Sequence, residues 1–360
     1  MDRYWIAFSA IENIDSEFVQ RLYNYFGNIE DAYNASLSDL SKIEGLSVKK
    51  AENFINAKNK IDVNKNIDEV LKRNISYLTF DNPDYPRLLK EISNPPMVIY
   101  YKGNFENCNM ERTLAIVGSR KSSYHAKEAV EKIIGELEGT DLCIVSGLAS
   151  GIDTSAHCSA LKHNLKTIGV IASGFDYTYP AANKDLYKEI EDGGGVIITE
   201  YYPTFEPLKF RFPQRNRIVS GISFGTVVAE ASIKSGALIT ANLTLEQGRE
   251  LMCIPGLISN PNTEGIYKLL KNGATLVTCA NDILEVLNWE VKPAQQLKMD
   301  LSGLSEDEKK VVEALEVEEK SFDEIINLTK INTDDLLMIL TTLELKGIIK
   351  QSAGDRYMKV

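Results

Sequence analysis

Between residues 113 and 287, short apolar runs alternate with longer helical stretches, and few folds accept that rhythm. The runs are TLAIV (113–117), LCIV (142–145), TIGVI (167–171), GVIIT (195–199), TVVAEA (226–231), LMCIP (251–255) and TLV (275–277). Each has the length of a strand and is too uniformly apolar for a sheet with one face in water. Parallel neighbours need a crossover of helical length, and the intervals supply it. The pattern predicts an α/β chain built on an extended Rossmann-like, doubly wound, mostly parallel sheet with helices on both faces.

Around this core the chain divides into four parts. Residues 1–60 read as short helices. Asp15 is placed to cap a helix carrying Phe18, Leu22 and Phe26 and ending at Gly27. The stretch Leu40–Ala51 is similar to a degenerate helix–hairpin–helix, with Gly45 in place and Ser47 where a second Gly is expected. Such a turn either offers backbone N–H groups to a phosphate or only packs. Residues 61–287 form the α/β domain, entered through NPPMVIYYKG, whose Pro-Pro pair precedes a strand at 97–101. Residues 288–301 read as a linker. Residues 302–360 form a small domain with capping boxes at Ser305/Glu308 and Ser321/Glu324. A third helix is capped by Asn332 and stopped at Gly347, and a hairpin follows around SAGD. Three helices and then a hairpin is the winged-helix order.

Composition removes several classes. With 44% hydrophobic and 25% charged residues the chain is neither disordered nor fibrous. It has no apolar run near 18 residues and no basic-then-apolar N-terminus, so neither a membrane span nor a signal peptide is expected. Five scattered Cys without a CxxC fit free thiols in a reducing cytoplasm. No metal-ligand set occurs. Asp153 and His157 share a helix face at i,i+4, which predicts an Asp–His pair orienting the neighbouring loop and not a metal site. The net charge of −11 argues against a chain coated in nucleic acid, but not against a local basic groove.

In a doubly wound sheet ligands bind beyond the carboxyl ends of the strands. There the sequence places Gly118-Ser119-Arg120, then Ser146-Gly147-Leu-Ala-Ser-Gly151-Ile-Asp153, then Ala172-Ser-Gly174. Three small-residue turns at one sheet edge present backbone N–H groups to an anion, and Arg120 adds a bidentate phosphate grip. None is a dinucleotide fingerprint or a P-loop. The second feature is Lys209-Phe-Arg-Phe212-Pro-Gln-Arg215-Asn216-Arg217. From Glu206 to Arg217 it carries four cations and one anion. Cations interleaved with aromatics suit single-stranded nucleic acid, charge tracking the backbone and rings stacking on bases. The alternative is the solvated start of a helix with Phe in the core; alternation, read as a strand, puts Phe210 and Phe212 on one face, with at least one in the core. Gly221-Ile-Ser223-Phe-Gly225 matches GxSxG but precedes a strand, so Ser223 is no nucleophile. Glu230, ending a strand, is either a catalytic carboxylate or a cap for the following segment.

Taken in order, GSR (118–120), SGLASGID (146–153) with His157, YP (179–180) with Asn183, KFRFPQRNRI (209–218), VVAEA (227–231), SGALITA (235–241) and PG (255–256) resemble the DNA processing protein A family, also called Smf. The resemblance spans most of residues 80–287, and the helical and winged-helix-like flanks fit the family's three-part layout. It implies a non-catalytic, cofactor-free homodimer that binds single-stranded DNA. It also implies that the protein loads the RecA recombinase onto incoming DNA during natural transformation. Residue by residue, it places the phosphate-gripping Arg at Arg120, the cation and stacking ring at Lys209 and Phe212, and the anion loop at Gly147 and Gly151. Together with the loop and segment readings, the expected DNA contacts are Gly118, Ser119, Arg120, Ser146, Gly147, Gly151, Lys209, Phe212, Arg215, Asn216 and Arg217.

Two rivals remain. A related superfamily of nucleoside-monophosphate phosphoribohydrolases carries PGGxGTxxE. Here Gly225-Thr226 is followed by Glu230, one residue too far, and the PGG is missing. A transcription regulator would read DNA with the third helix of the tail. That segment carries Asp334, Asp335 and Glu344 against Lys346, within a tail of 13 acidic and 8 basic residues. Acidic faces repel phosphate, so a protein-contact or packing role is expected.

Overall fold

The computed structural model describes residues 2–12, 14–290, 304–315, 320–345, 348–352 and 356–359. The chain forms two compact units, Met1–Val291 and Lys292–Val360. Most of the expected 288–301 linker, the helix stop at Gly347 and the tip of the SAGD turn lie outside the described residues.

The larger unit holds one nine-stranded sheet. Its strands are β1 (Ser76–Thr79), β2 (Val98–Gly103), β3 (Thr113–Gly118), β4 (Cys143–Ser146), β5 (Lys166–Val170), β6 (Val196–Thr199), β7 (Gly225–Glu230), β8 (Glu250–Cys253) and β9 (Thr275–Leu276). The spatial order is β1-β2-β6-β5-β4-β3-β7-β8-β9. From β6 to β9 every pairing is parallel; β1 and β2 add antiparallel pairings at one edge. The sequence pattern locates each parallel strand to within a residue or two. It misses β1, where SYLT carries only two buried residues and no alternation long enough to read.

Alternate residues of the central strands feed two different cores. Ala115 and Val117 of β3 face one, with Ile218, Val219 and Ala241 from the covering helices. Leu114 and Ile116 face the other, with Val130, Ile134, Ala156 and Ile283. Strand order reverses at β3, which has β4 on one side and β7 on the other. Loops leaving the two strands therefore diverge and open a crevice at that point.

The N-terminal helices are not a separate ball. They run on to Lys72, past the expected boundary at 60. Their core, with Trp5, Phe8, Leu22 and Phe54, continues through Val98 and Tyr100 of β2 to Tyr202. Asp15 accepts from the Phe18 N–H and Gly27 ends that helix in a left-handed conformation, as its sequence predicts. Ser47 is the N-cap of helix Val48–Lys58, which explains why the turn before it does without a second Gly.

The smaller unit has helices Glu306–Ala314, Phe322–Thr329 and Thr333–Leu345, with strands β10 (Lys320–Ser321), β11 (Ile349–Ser352) and β12 (Arg356–Lys359). β12 lies between the other two. Both capping boxes form, and the Asn332 side chain accepts from the Asp335 N–H at 3.0 Å. This is a winged-helix domain. Among the described residues no helix is long and apolar enough to cross a membrane.

A shared core makes a prediction. Leu22 is fully buried among the N-terminal helices, and Leu22→Ala should cost about 2–5 kcal/mol. Urea unfolding followed by the fluorescence of Trp5 and Trp289 should show one transition shifted as a whole. A separate, earlier step for the helices would mean two independent folding units.

Candidate nucleic-acid interface

At the switch point the β3 loop, the loop after β4 and the helix Arg211–Gly221 enclose a cleft of about 690 Å³. Gly118, Ser119, Arg120 and Gly147 line one side, and Lys209, Phe212, Arg215 and Asn216 line the other. The sequence missed three further contributors. Lys121 and Tyr179 reach the rim, and the Ser235–Ala237 stretch brings the N-terminus of helix Ala237–Glu246 to the cleft. The YP and SGALITA blocks were the signals for Tyr179 and for the Ser235–Ala237 stretch, and Lys121 had none.

The loop after β4 is held from beneath. Gly151 has φ +88°, and a Cβ there would run into the Ser119 carbonyl oxygen. A Cβ on Gly147 would sit 2.6 Å from Asp153 Oδ2 and 2.7 Å from an Arg215 nitrogen. Asp153 is buried, and its Oδ2 accepts from the Ala149 N–H at 3.3 Å. Asn183 donates to the Leu148 carbonyl at 2.9 Å and to Thr154 at 3.0 Å. Arg215 is also buried and donates from one nitrogen to the carbonyls of Gly147 and Val170. Burial pushes the Asp153 carboxyl up, against the pull of Arg215, and pushes the Arg215 guanidinium down, against the pull of Asp153.

Helical geometry from Arg211 onward separates the residues that the sequence grouped together. An extended strand would put Phe210 and Phe212 on one face; the helix turns them apart, and neither is core. Phe212 is half-buried, its ring 5.2 Å from that of Tyr179 and 5.2 Å below the Arg120 guanidinium. Phe210 is 54% exposed and lies outside the cleft. Arg217 is not brought to the cleft either. It forms a bidentate pair with Glu200 at 2.5 and 2.6 Å and donates to the Asn94 carbonyl at 2.8 Å. Ser146 turns its hydroxyl inward to the Ile116 carbonyl at 2.6 Å. What remains at the rim is Arg120, Lys121 and Lys209, all exposed. Asp153 is the sole acid among the described lining residues, and it lies under the loop.

Two further expectations need correction. Asp153 and His157 do not pair: Asp153 holds the loop, while His157 Nδ1 meets Thr167 Oγ1 at 2.7 Å. The next strand over offers His157 a nearer partner. Glu230 is neither at the cleft nor a cap for the segment after it. Its carboxylate accepts from the Ser123 N–H at 3.2 Å and the Ser123 hydroxyl at 2.6 Å, so it braces the start of helix Tyr124–Gly135. Asn260 adds a donor at 3.3 Å. Among the described residues no cluster could hold a metal ion.

Both units of the chain match known protein families. The family model described as DNA recombination-mediator protein A matches residues 76–288, and one described as the DprA winged helix domain matches residues 294–355. The Smf protein of Synechocystis is 32% identical across 99% of this chain and 98% of its own length. The crystal structure of DNA processing protein A from Streptococcus pneumoniae superposes with a TM-score of 0.69 at 37% identity, covering 78% of this chain and 95% of that one. A Helicobacter pylori counterpart, solved to describe its single-stranded DNA binding mode, gives 0.54 at 28% identity, with 59% and 95% covered.

His157 gives the site a pH signature. Burial, followed by the Arg215 charge, lowers its pKa from 6.5 to about 3. Below pH 6.5 the unfolded chain binds a proton at this ring that the folded chain refuses. The stabilising difference is whole above that pH and is lost as pH falls toward 3, by up to about 1.4 kcal/mol per pH unit. His157→Gln should flatten the decline of melting temperature between about pH 6 and pH 4. Parallel curves for the two proteins would refute a buried neutral ring.

Proposed function

The chain belongs to the DNA processing protein A family, and from that premise we propose that it binds single-stranded DNA in the cleft at the switch point. The observation that carries this reading is the pairing of Arg120 and Phe212 at 5.2 Å, a phosphate grip stacked on a base-sized ring. Arg120, Lys121 and Lys209 follow the sugar–phosphate backbone, Phe212 and Tyr179 meet the bases, and the loop N–H groups and the Ala237 helix terminus receive a phosphate. Ser119, Gly118, Gly147, Gly151 and Asn216 shape the wall. Arg215 acts from below, by fixing the loop, and Arg217 serves the neighbouring packing. The strand so held is passed to the RecA recombinase on incoming DNA during natural transformation, in keeping with the recombination-mediator family, and the working unit is a homodimer.

We read the protein as non-catalytic. The phosphoribohydrolase reading needs a free carboxylate at the cleft, and Glu230 has its oxygens on Ser123 and Asn260 instead. The winged helix is read as a protein-contact domain. The exposed face of its third helix carries Asp334, Leu337 and Met338, which offer nothing to a phosphate.

Arg120→Ala and Lys209→Ala should each weaken binding to oligonucleotides of any sequence. Each should lower the slope of log K against log salt by about 0.7, the value for one phosphate contact on a single strand. Phe212→Ala should lose about 1–3 kcal/mol of affinity with little change in melting temperature. Unchanged affinity and slope in both cation variants, measured by fluorescence anisotropy, would refute the site. Deleting residues 302–360 should leave the affinity within a few-fold; a loss of two orders of magnitude, about 2.7 kcal/mol, would put the winged helix on the DNA.

A further inference from the structure

Helix Arg211–Gly221 is a wall with two sides. Residues 209, 212, 215 and 216 line the basic cleft, while 210, 211, 214 and 217 line a second cleft of about 340 Å³ between the sheet and the N-terminal helices. The sequence offered both sets as one run of cations and rings, and only one set is used by the reading above.

The second cleft differs in chemistry from the first. Its charged groups are already engaged. Arg217 is paired with Glu200, Asp15 with Lys50 at 3.1 Å, and Arg211 is buried and donates to the Glu206 carbonyl. A phosphate finds no free cation among its described lining residues. Its aromatic lining is extensive: the Arg211 guanidinium lies 5.1 Å from the Tyr201 ring centre, 4.8 Å from that of Phe205 and 5.6 Å from that of Phe210. Phe210 is 54% exposed at the mouth, a large ring left in water without a core to join. Polar groups also face in. The Asn94 side-chain oxygen is buried without a hydrogen-bond partner, and the exposed Gln214 amide accepts only a long contact, 3.3 Å, from the Tyr201 hydroxyl. Neutral, aromatic-walled space with an unused acceptor and an adaptable amide suits a flat heterocycle with a hydrogen-bonding edge.

We propose that this cleft takes an unpaired nucleobase from the same strand that lies in the basic cleft. Lys209 stands on the basic side and Phe210, the next residue, on the other. A phosphate at Lys209 therefore leaves the adjoining base beside Phe210. The proposal rests on the single-stranded DNA reading and extends it across the helix.

The test uses the full chain and oligothymidylate carrying 5-iodouracil at successive positions. Irradiation should give adducts on Tyr201, Phe205 or Phe210 as well as on the rings of the basic cleft. Phe210→Ala and Gln214→Ala, both exposed and so without effect on melting temperature, should each weaken binding several-fold, about tenfold for the ring. Phe210→Tyr should restore it. On a strand whose bases are replaced by abasic spacers the same variants should bind as the parent does. Adducts confined to Tyr179 and Phe212, with parental affinity in both variants, would overturn the second cleft while leaving the first intact. A parent chain that binds no oligothymidylate, or an Arg120→Ala variant that binds unchanged, would overturn the reading beneath it.

Discussion

One buried guanidinium organises the floor of the site. Arg215 donates to the carbonyls of Gly147, in the loop after β4, and of Val170, the last residue of β5, and it starts from the helix that walls the cleft. Three separate pieces of chain are thus fixed to one planar group. The same contacts give two buried acceptors a donor. Both bonds leave one guanidinium nitrogen, and a guanidinium is less costly to strip of water than a lysine ammonium. Asp153 supplies the opposing charge across the loop and anchors the Ala149 N–H. The two charges are buried together, which is the condition under which either is tolerated.

That arrangement explains the division of labour among the cations. Four stand between residues 209 and 217, yet burial and pairing remove three from solvent: Arg211 at 5%, Arg215 at 3%, and Arg217 on Glu200. The exposed charge comes from Lys209 and, across the cleft, from Arg120 and Lys121. An arginine on a helix that packs against a sheet is consumed by the nearest carbonyls and carboxylates, because leaving those unpaired costs more than the charge returns at a wet surface. The local excess at the rim is small, but the chain as a whole carries −11. A net negative charge opposes a polyanion at long range, so the cationic rim matters to the proposed binding through its local field.

How legible this was depends on the physical range of each signal. The parallel strands and the switch-point loops follow from hydrophobic runs and small residues a few positions apart, and both were readable. The two helix caps at Asp15 and Asn332 were readable for the same reason. What failed was the period of KFRFPQRNR. Alternation of type over four residues imitates a strand, and the proline at 213 reinforces that impression, although Pro is at home in the first turn of a helix. The choice was settled by burial of Ile218 and Val219 in the core they share with Ala115, Val117 and Val228 of the sheet, which lies outside the segment. The fates of His157, Glu230 and Arg217 were hidden for a related reason. Their partners, Thr167, Ser123 and Glu200, are 10, 107 and 17 residues away, and no local pattern names a partner across the sheet.

The same helix also bears on why a single strand and not a duplex would be held. Its two faces open into clefts of about 690 and 340 Å³ with opposite character, one cationic and one with its charged groups already engaged. A duplex keeps its bases stacked and paired inside, so it can offer only phosphates, and only to the first cleft. A single strand can offer phosphates to one side and turn bases to the rings on either side, at a cost in unstacking that is small once pairing is absent. Selectivity then comes from geometry instead of base-edge readout, and it is indifferent to sequence. Rigidity is what keeps the two clefts in register. The wall helix is pinned at Arg215 from one side and at Arg217 from the other, so a strand bridging its N-terminal end meets a fixed edge and not a loop that must be ordered on arrival.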